Sequence, residues 1–284
     1  MYYLGIDAGG TKCSARLTDK SGAIIGTGLS GPANMRLGVD TVFNSIMACS
    51  TQAIAQAGLD ETSTKKIRAG MGIAGIGRKG AQEELTAKGF PFAKTSIDSD
   101  ANIANLGAHS GGDGGTVTIG TGSIAIGRVG GKNIRMGGYG FPISDEGSGA
   151  YIGLQAIRIT LRASDGRVDH SDLTKTLFDK YGRETAAIVD WMDIASATEY
   201  AVLAPMVVEA AEAGDFHGRL ITNHSAWHIE MMIRGLYKVG IERCTLAGGL
   251  APRLEPWLAP DIRMKLVPPY GDTLDGALWL ARQS

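Results

Sequence analysis

Gly5-Ile6-Asp7-Ala8-Gly9-Gly10-Thr11-Lys12 is the stretch on which the reading of the fold turns. Tyr2 to Leu4 leads into it and Ala15 to Leu17 follows, so it reads as two strands around a Gly9-Gly10 bend, with Ala23 to Gly28 continuing the sheet. Glycines at such a bend let backbone N–H groups approach an anion without a Cβ in the way, and Asp7 sets a carboxylate at the strand end. A phosphate fits there. A plain tight hairpin, with Asp7 and Thr11 bonding locally, fits as well.

The same pattern returns downstream. Thr116 to Ile119 runs into Gly120-Thr121-Gly122-Ser123, and Ile124 to Val129 comes back as a strand. A hairpin turn again explains it alone, but two such turns, each opening a lobe, suit a cleft in which both grip one triphosphate. The expected division is a first lobe over 1–108 and a second over 109–272, with the boundary in the Gly107 to Gly115 stretch. The last helix, Thr273 to Arg282 within 273–284, is expected to pack back on the first lobe.

Between the turns, Phe43, Ile46, Met47, Ile54 and Ala57 keep helical spacing over Asp40 to Gly58. Strands at Ala69 to Ile73 and Thr95 to Ile97 and a helix at Ala101 to Ala108 complete a β-β-β-α-β-α-β-α order, a mixed sheet flanked by helices. In the second half, helices are expected at Gly149 to Arg162, Asp172 to Tyr181, Ala195 to Ala213 and Arg219 to Val239, before a strand at Cys244 to Ala247.

Three further constellations carry chemistry. Asp98-Ser99-Asp100-Ala101-Asn102 lies at a strand-to-helix junction, where Asp100 has the place of a helix N-cap; held in a cleft, the same carboxylate could take a proton from a sugar hydroxyl. Gly137-Gly138-Tyr139-Gly140-Phe141-Pro142-Ile143-Ser144-Asp145-Glu146-Gly147-Ser148 combines acids and flat rings before a helix, which suits a sugar as well as a helix cap. Leu246-Ala247-Gly248-Gly249-Leu250-Ala251 bends through two glycines that let a flat base lie close to the backbone, or simply end the strand.

Composition narrows the partners. The chain has 284 residues, 44% hydrophobic and 20% charged, with a formal net charge of -1. That supports a large core and offers neither a basic face for nucleic acid nor a polybasic stretch for a membrane, leaving a small molecule as the expected partner. Cys13, Cys49 and Cys244 are far apart without CxxC spacing, which argues against a zinc site or a disulfide framework and for a reducing cytoplasm. No run reaches transmembrane length, and Met1-Tyr2-Tyr3 does not open a signal peptide. Trp191, Trp227, Trp257 and Trp279 read as packing anchors, and the histidines lack convincing metal spacing.

As a set, the motifs resemble the BadF/BadG/BcrA/BcrD ATPase-like family, and within it the bacterial glucosamine and N-acetylglucosamine kinases. GIDAGGTK, SDSDANIANLGAH, TIGTGS, GGYGFPISDEGSGA, LAGGLA and GDTLDGALWLA occur in the family's order across nearly the whole chain. The resemblance implies a two-lobed actin, Hsp70 and hexokinase type of fold, two ribonuclease H-like domains with a central cleft. It implies ATP and Mg2+ as cofactors and transfer of the γ-phosphoryl group to a sugar 6-hydroxyl. Gly9, Gly10, Thr11 and Lys12 then match the first phosphate motif, Gly120, Thr121, Gly122 and Ser123 the second, and Gly248 and Gly249 the adenosine motif. Asp7 matches the residue that organises magnesium, through water, and Asp100 the general base. Asn34 and Asp145 match sugar-binding positions, and Ala74, Gly75, Thr121, Gly138 and Tyr139 lie in the segments expected to line the sugar.

Two departures bear on the substrate. Ala74 stands where many N-acetylglucosamine kinases of the family carry Ser, and Tyr139 where they often carry Trp. Both favour glucosamine, with N-acetylglucosamine as the alternative. The resemblance leaves room for a homodimer. The same family contains iron-sulfur activators of dehydratases, which need closely placed thiolates. ROK kinases share the Asp-x-Gly-Gly-Thr opening, but their Cys-rich zinc motif and Glu-x-Gly-His segment are missing from this sequence. An actin-like assembly protein would keep the phosphate turns without the Asn34, Asp100 and Asp145 set.

Overall fold

The computed structural model describes residues 1–283 and divides into two compact units, Met1–Gly114 with Pro268–Ser284, and Gly115–Val267. In the first unit β1 (Tyr2–Ala8), β2 (Cys13–Thr18) and β3 (Ile24–Ser30) form an antiparallel meander. Helix α1 (Val39–Gln56), β4 (Ile67–Ile73), α2 (Ala81–Ala87), β5 (Lys94–Ser99) and α3 (Asp100–Ala108) follow. β4 pairs parallel to β1 and β5 parallel to β4, so the sheet order is β3-β2-β1-β4-β5.

Strand alternation sorts the two faces. Leu4, Ile6 and Ala8 are buried in a core with Val42, Ile46 and Cys49 of α1. Gly5 and Asp7 point to the other face, toward the C-terminal helix Thr273–Gln283. That helix lies against the sheet so closely that a Cβ at Gly70 of β4 would stand 2.1 Å from the Ala277 carbonyl oxygen. Any larger residue there would lift the helix away.

The second unit repeats the plan. β6 (Gly114–Ile119), β7 (Ser123–Val129), β8 (Lys132–Gly137) and β9 (Cys244–Ala247) are ordered β8-β7-β6-β9, with β9 parallel to β6. This matches β3-β2-β1-β4, and a parallel bridge from Cys244 to Leu266 stands where a fifth strand would be. The intervening helices are α4 (Gly149–Ser164), α5 (Asp172–Lys180), α6 (Thr185–Ile194), α7 (Ala197–Ala201), α8 (Ala204–Glu212) and α9 (Phe216–Lys238). Ile152, Ala156 and Ile159 of α4 and Ile229, Ile233 and Leu236 of α9 belong to the core beneath the sheet.

Helix α6 is absent from the sequence reading, and other features differ from it as well. The helix expected over Ala195 to Ala213 is two, because Pro205 cannot donate to a preceding carbonyl and instead sits in the first turn of α8. β8 has no strand signal in the sequence because Lys132, Asn133 and Arg135 make it polar; only its pairing with β7 reveals it. The cysteines, distant in sequence, include a close pair: Cys13 of β2 and Cys49 of α1 are fully buried with their Sγ atoms 3.4 Å apart. Among the described residues, no helix is long and apolar enough to cross a membrane.

Candidate active site

Parallel pairing brings the ends of three strands of the first unit into line. Ala8 is opposite Ile73, and Ile73 opposite Ser99, so Asp7, Ala74-Gly75 and Asp100 leave the sheet along one carboxyl edge. Open α/β sheets bind ligands at that edge. The turn Gly9–Lys12 projects beyond it with Gly10, Thr11 and Lys12 exposed, closed by a 3.0 Å bond from Gly9 N–H to the Lys12 carbonyl.

Asn34 joins this edge through the backbone. Ala33 N–H donates to the Gly9 carbonyl and Met35 N–H to the Ala74 carbonyl, at 2.8 and 3.0 Å. Asn34 Oδ1 accepts from Arg36 N–H at 2.9 Å, which leaves the Nδ2 donors for a ligand. A Cβ at Gly75 would come within 3.0 Å of Asn34 Oδ1, and one at Gly10 within 4.0 Å of its Nδ2. Asn34, Ala74, Gly75 and Gly10 therefore form one neighbourhood.

Asp100 is the first residue of α3 rather than its cap. Ser99 caps the helix, accepting from Asn102 N–H at 3.1 Å, while Asp98 holds Ser99 N–H and Asn102 Nδ2, both at 2.7 Å. Asp100 Oδ1 accepts from Ala101 N–H of its own turn, at 2.9 Å. With capping done by a neighbour, the Asp100 carboxylate is spare. Burial pushes its pKa above the usual carboxylate range against the Ala101 bond, and the charge of Asp7 adds to the rise.

Asp7 is held by a residue that the sequence reading does not single out. Thr273 Oγ1, at the start of the C-terminal helix, donates to Asp7 Oδ2 at 2.7 Å. Burial raises the Asp7 pKa, while the Thr273 bond and the Lys12 charge pull it down. The only hint in the sequence is a Thr beside an acid in Gly271-Asp272-Thr273-Leu274-Asp275, an ordinary helix start.

In the second unit the Gly120–Ser123 turn again follows a strand end, and the 137–150 segment wraps it. Gly149 N–H donates to the Gly120 carbonyl at 2.8 Å and Ala150 N–H to the Thr121 carbonyl at 3.1 Å, docking the first turn of α4 on the bend. Burial holds the Asp145 pKa above the usual range, against the pull of the nearby backbone of Gly140, Phe141 and Ser123. The Asp145 backbone is left-handed, φ 65°, and its carboxylate lies over Gly122, where a Cβ would be 2.7 Å from Oδ2. Ser123 Oγ donates to the Glu146 carbonyl at 2.7 Å.

The remaining expected residues fall around this turn. Gly138 packs on Ile124, and Tyr139 is 76% exposed with the Arg135 guanidinium 5.1 Å from its ring centre, so one ring face is already covered. Gly248 lies against the Ile119 carbonyl with φ 92°, a close approach that by itself demands glycine, whereas Gly249 borders open space.

A protein-family model described as the BadF/BadG/BcrA/BcrD ATPase family matches residues 4–268. The chain is similar to glucosamine kinase GspK of Vibrio cholerae serotype O1, 37% identical over 280 residues that cover 99% of this chain and 95% of that protein. It superposes on the crystal structure of a candidate N-acetylglucosamine kinase from Chromobacterium violaceum with a TM-score of 0.91 at 32% identity, covering 99% and 98% of the two chains. A ROK family glucokinase from Streptomyces griseus, solved with glucose and AMPPNP, matches with a TM-score of 0.59 at 16% identity over 100% and 99%, and shares the fold. The two sheets of like order are thus those of the hexokinase-like, actin-like ATPase fold expected from the motifs. Since the family's pattern runs through both units and not through one of them alone, the chain belongs to the BadF/BadG/BcrA/BcrD ATPase family.

Proposed function

We propose that this chain is an ATP-dependent amino-sugar kinase that converts glucosamine and ATP to glucosamine 6-phosphate and ADP. The observation that carries the reading is the 37% identity, over 99% of the chain, to a glucosamine kinase. Asp100 supports it from the chemistry: a partly buried carboxylate with a raised pKa, on the carboxyl edge of the sheet and free of capping duty.

In this reading Asp100 takes the proton of the sugar 6-hydroxyl as that oxygen forms its bond to the γ-phosphorus. The bond to the bridging oxygen breaks, and ADP leaves with the electron pair. A raised pKa brings the base closer to neutrality, where acid–base catalysis is most effective. Gly9, Gly10, Thr11 and Lys12 are assigned to phosphate oxygens, as are Gly120, Thr121 and Gly122, and Gly248 and Gly249 are assigned to the adenosine. Positioning and charge neutralisation contribute most of the rate in so loose a transition state.

Mg2+ fits Asp7 by the chemistry of its donors. Among the described residues there is no group of three His, Cys, Asp or Glu that would cage a cation. Magnesium asks for less, one or two carboxylates with phosphate oxygens and its own waters, and when bound it neutralises phosphate charge. Asp7 is the residue that would hold it, with Thr273 fixing the carboxylate.

Asn34 Nδ2 and Asp145 supply a donor and an acceptor for sugar hydroxyls. Ala74 is buried and brings no hydrogen-bonding side chain to an acetamide, which favours the free amine. N-acetylglucosamine is the second reading, supported by the candidate N-acetylglucosamine kinase at TM-score 0.91. The iron-sulfur activator finds no support, since all three thiols are buried. A cytoplasmic setting goes with ATP as the phosphoryl donor. The test is ADP release measured with glucosamine, N-acetylglucosamine, glucose and N-acetylmannosamine. The highest kcat/KM on glucosamine is expected; a preference for N-acetylglucosamine replaces the first reading by the second, and no turnover on any sugar rejects both.

A further inference from the structure

Ser123 belongs by motif to a phosphate turn, yet its hydrogen bonds lead elsewhere. The side chain is 3% exposed, and its hydroxyl is spent as a donor on the Glu146 carbonyl, 2.7 Å away. A phosphate oxygen can only accept, so the Ser123 side chain has no donor left for one. Thr121, two residues earlier, is exposed, and its hydroxyl bonds no protein group among the described residues.

The loop that Ser123 grips is held by further bonds at its C-terminal end. Ser225 Oγ donates to the Gly147 carbonyl at 2.8 Å, and Ser148 caps α4 by accepting from Tyr151 N–H at 3.2 Å. Asp145 is in left-handed backbone with its carboxylate over Gly122, so the direction of its acceptors is set by how the loop sits on the turn.

We infer that Ser123 is a positioning residue for the sugar rather than a phosphate ligand: it clamps the Asp145-Glu146 loop to the Gly120–Gly122 turn and so aims the Asp145 carboxylate. Thr121 is then the hydroxyl of this turn that serves the phosphates. The inference rests on the amino-sugar kinase reading.

Steady-state ADP release with glucosamine and ATP varied in turn tests it on wild type, Ser123→Ala, Ser123→Thr and Thr121→Ala. Ser123→Ala is expected to raise the glucosamine KM about tenfold, the scale of one lost bond with a buried carbonyl left undonated. Its ATP KM is expected to stay within about twofold, as for a residue that makes no phosphate contact. Ser123→Thr keeps the hydroxyl and restores the sugar KM, and Thr121→Ala gives the opposite split. A Ser123→Ala enzyme whose ATP KM alone rises, or whose KM values both stay unchanged, overturns the inference. Should Ser123→Ala not fold, Ser123→Cys, of similar shape and weaker as a donor, is judged by the same criteria. A wild type that releases no ADP with any amino sugar ends the kinase reading and this inference with it, whereas an active wild type with the ATP-side shift ends the inference alone.

Discussion

The turns Gly9–Lys12 and Gly120–Ser123 hold the same station in their sheets, between the first strand and its neighbour, and each is closed by one backbone bond from its leading glycine. Their surroundings differ. The first is bare at its tip, and its carboxylate, Asp7, is steadied from below by Thr273 of the C-terminal helix. The second is wrapped by the loop it precedes, with Asp145 pressed on Gly122 and the first turn of α4 docked on the bend. One hairpin plan is thus open at its tip in one unit and wrapped by the following loop in the other.

The largest test concerns the carboxyl edge that only the first unit equips with a spare acid. Asp100→Ala should cut sugar-dependent ADP release by about 10²- to 10⁴-fold, the usual worth of a general base, while ATP binding measured by calorimetry is retained. Unchanged turnover would remove Asp100 from the chemistry.

Next comes the wrapped turn. Gly122→Ala drives a methyl to 2.7 Å from Asp145 Oδ2 and should cost about 1–3 kcal/mol of stability, with a raised sugar KM. Gly120→Ala meets nothing within 4 Å and should leave thermal stability nearly untouched, within about 0.5 kcal/mol. Equal melting temperatures for the two variants would mean that the Asp145 loop does not press on the turn.

In the bare turn, Thr273→Val removes the donor to Asp7 at a cost of about 1 kcal/mol, or about fivefold in ATP KM. Because that bond lowers the Asp7 pKa, its loss should move the acidic limb of the pH–rate profile to higher pH. A limb that stays put means that Asp7 does not need Thr273.

The smallest effect is on stability. The folded Asp100 pKa lies above the ordinary aspartate value of 3.8, so the folded chain binds that proton more tightly than the unfolded one. Stability is then lost as pH rises from the unfolded value through the folded one. At neutral pH the buried charge is a penalty that Asp100→Asn removes, raising the melting temperature by about 2–4 °C for each kcal/mol recovered. The gain should vanish when the scan is repeated below the ordinary aspartate value of 3.8, where both states are protonated, and a gain that persists there has another cause.

Much of the plan is legible in the sequence because glycine-bent hairpins between apolar strands are local patterns. Asp7, Gly9, Gly10, Gly120, Gly122 and the acid-rich 137–148 segment stand out that way. β8 does not, since an edge strand with one wet face can be as polar as Lys132–Gly137 and still pair. The cap of α3 is hidden for a related reason. Asp98, Ser99 and Asp100 are all good caps, and backbone dihedrals choose among them: Ser99 is extended, φ -75° and ψ 153°, where a cap must be.

Residue order alone determined the two strand-turn-strand units, the family they share and the types of side chain placed at each turn, because these depend on spacing within about ten residues. Tertiary structure alone decided what each of those side chains touches: Thr273 reaching Asp7 across 266 positions, Cys13 beside Cys49, and Ser123 turned toward the Glu146 carbonyl. A hydroxyl or a carboxylate has the same chemistry wherever it stands in a chain, but its hydrogen bonds reach only about 3 Å, so its role is set by the neighbours that folding delivers.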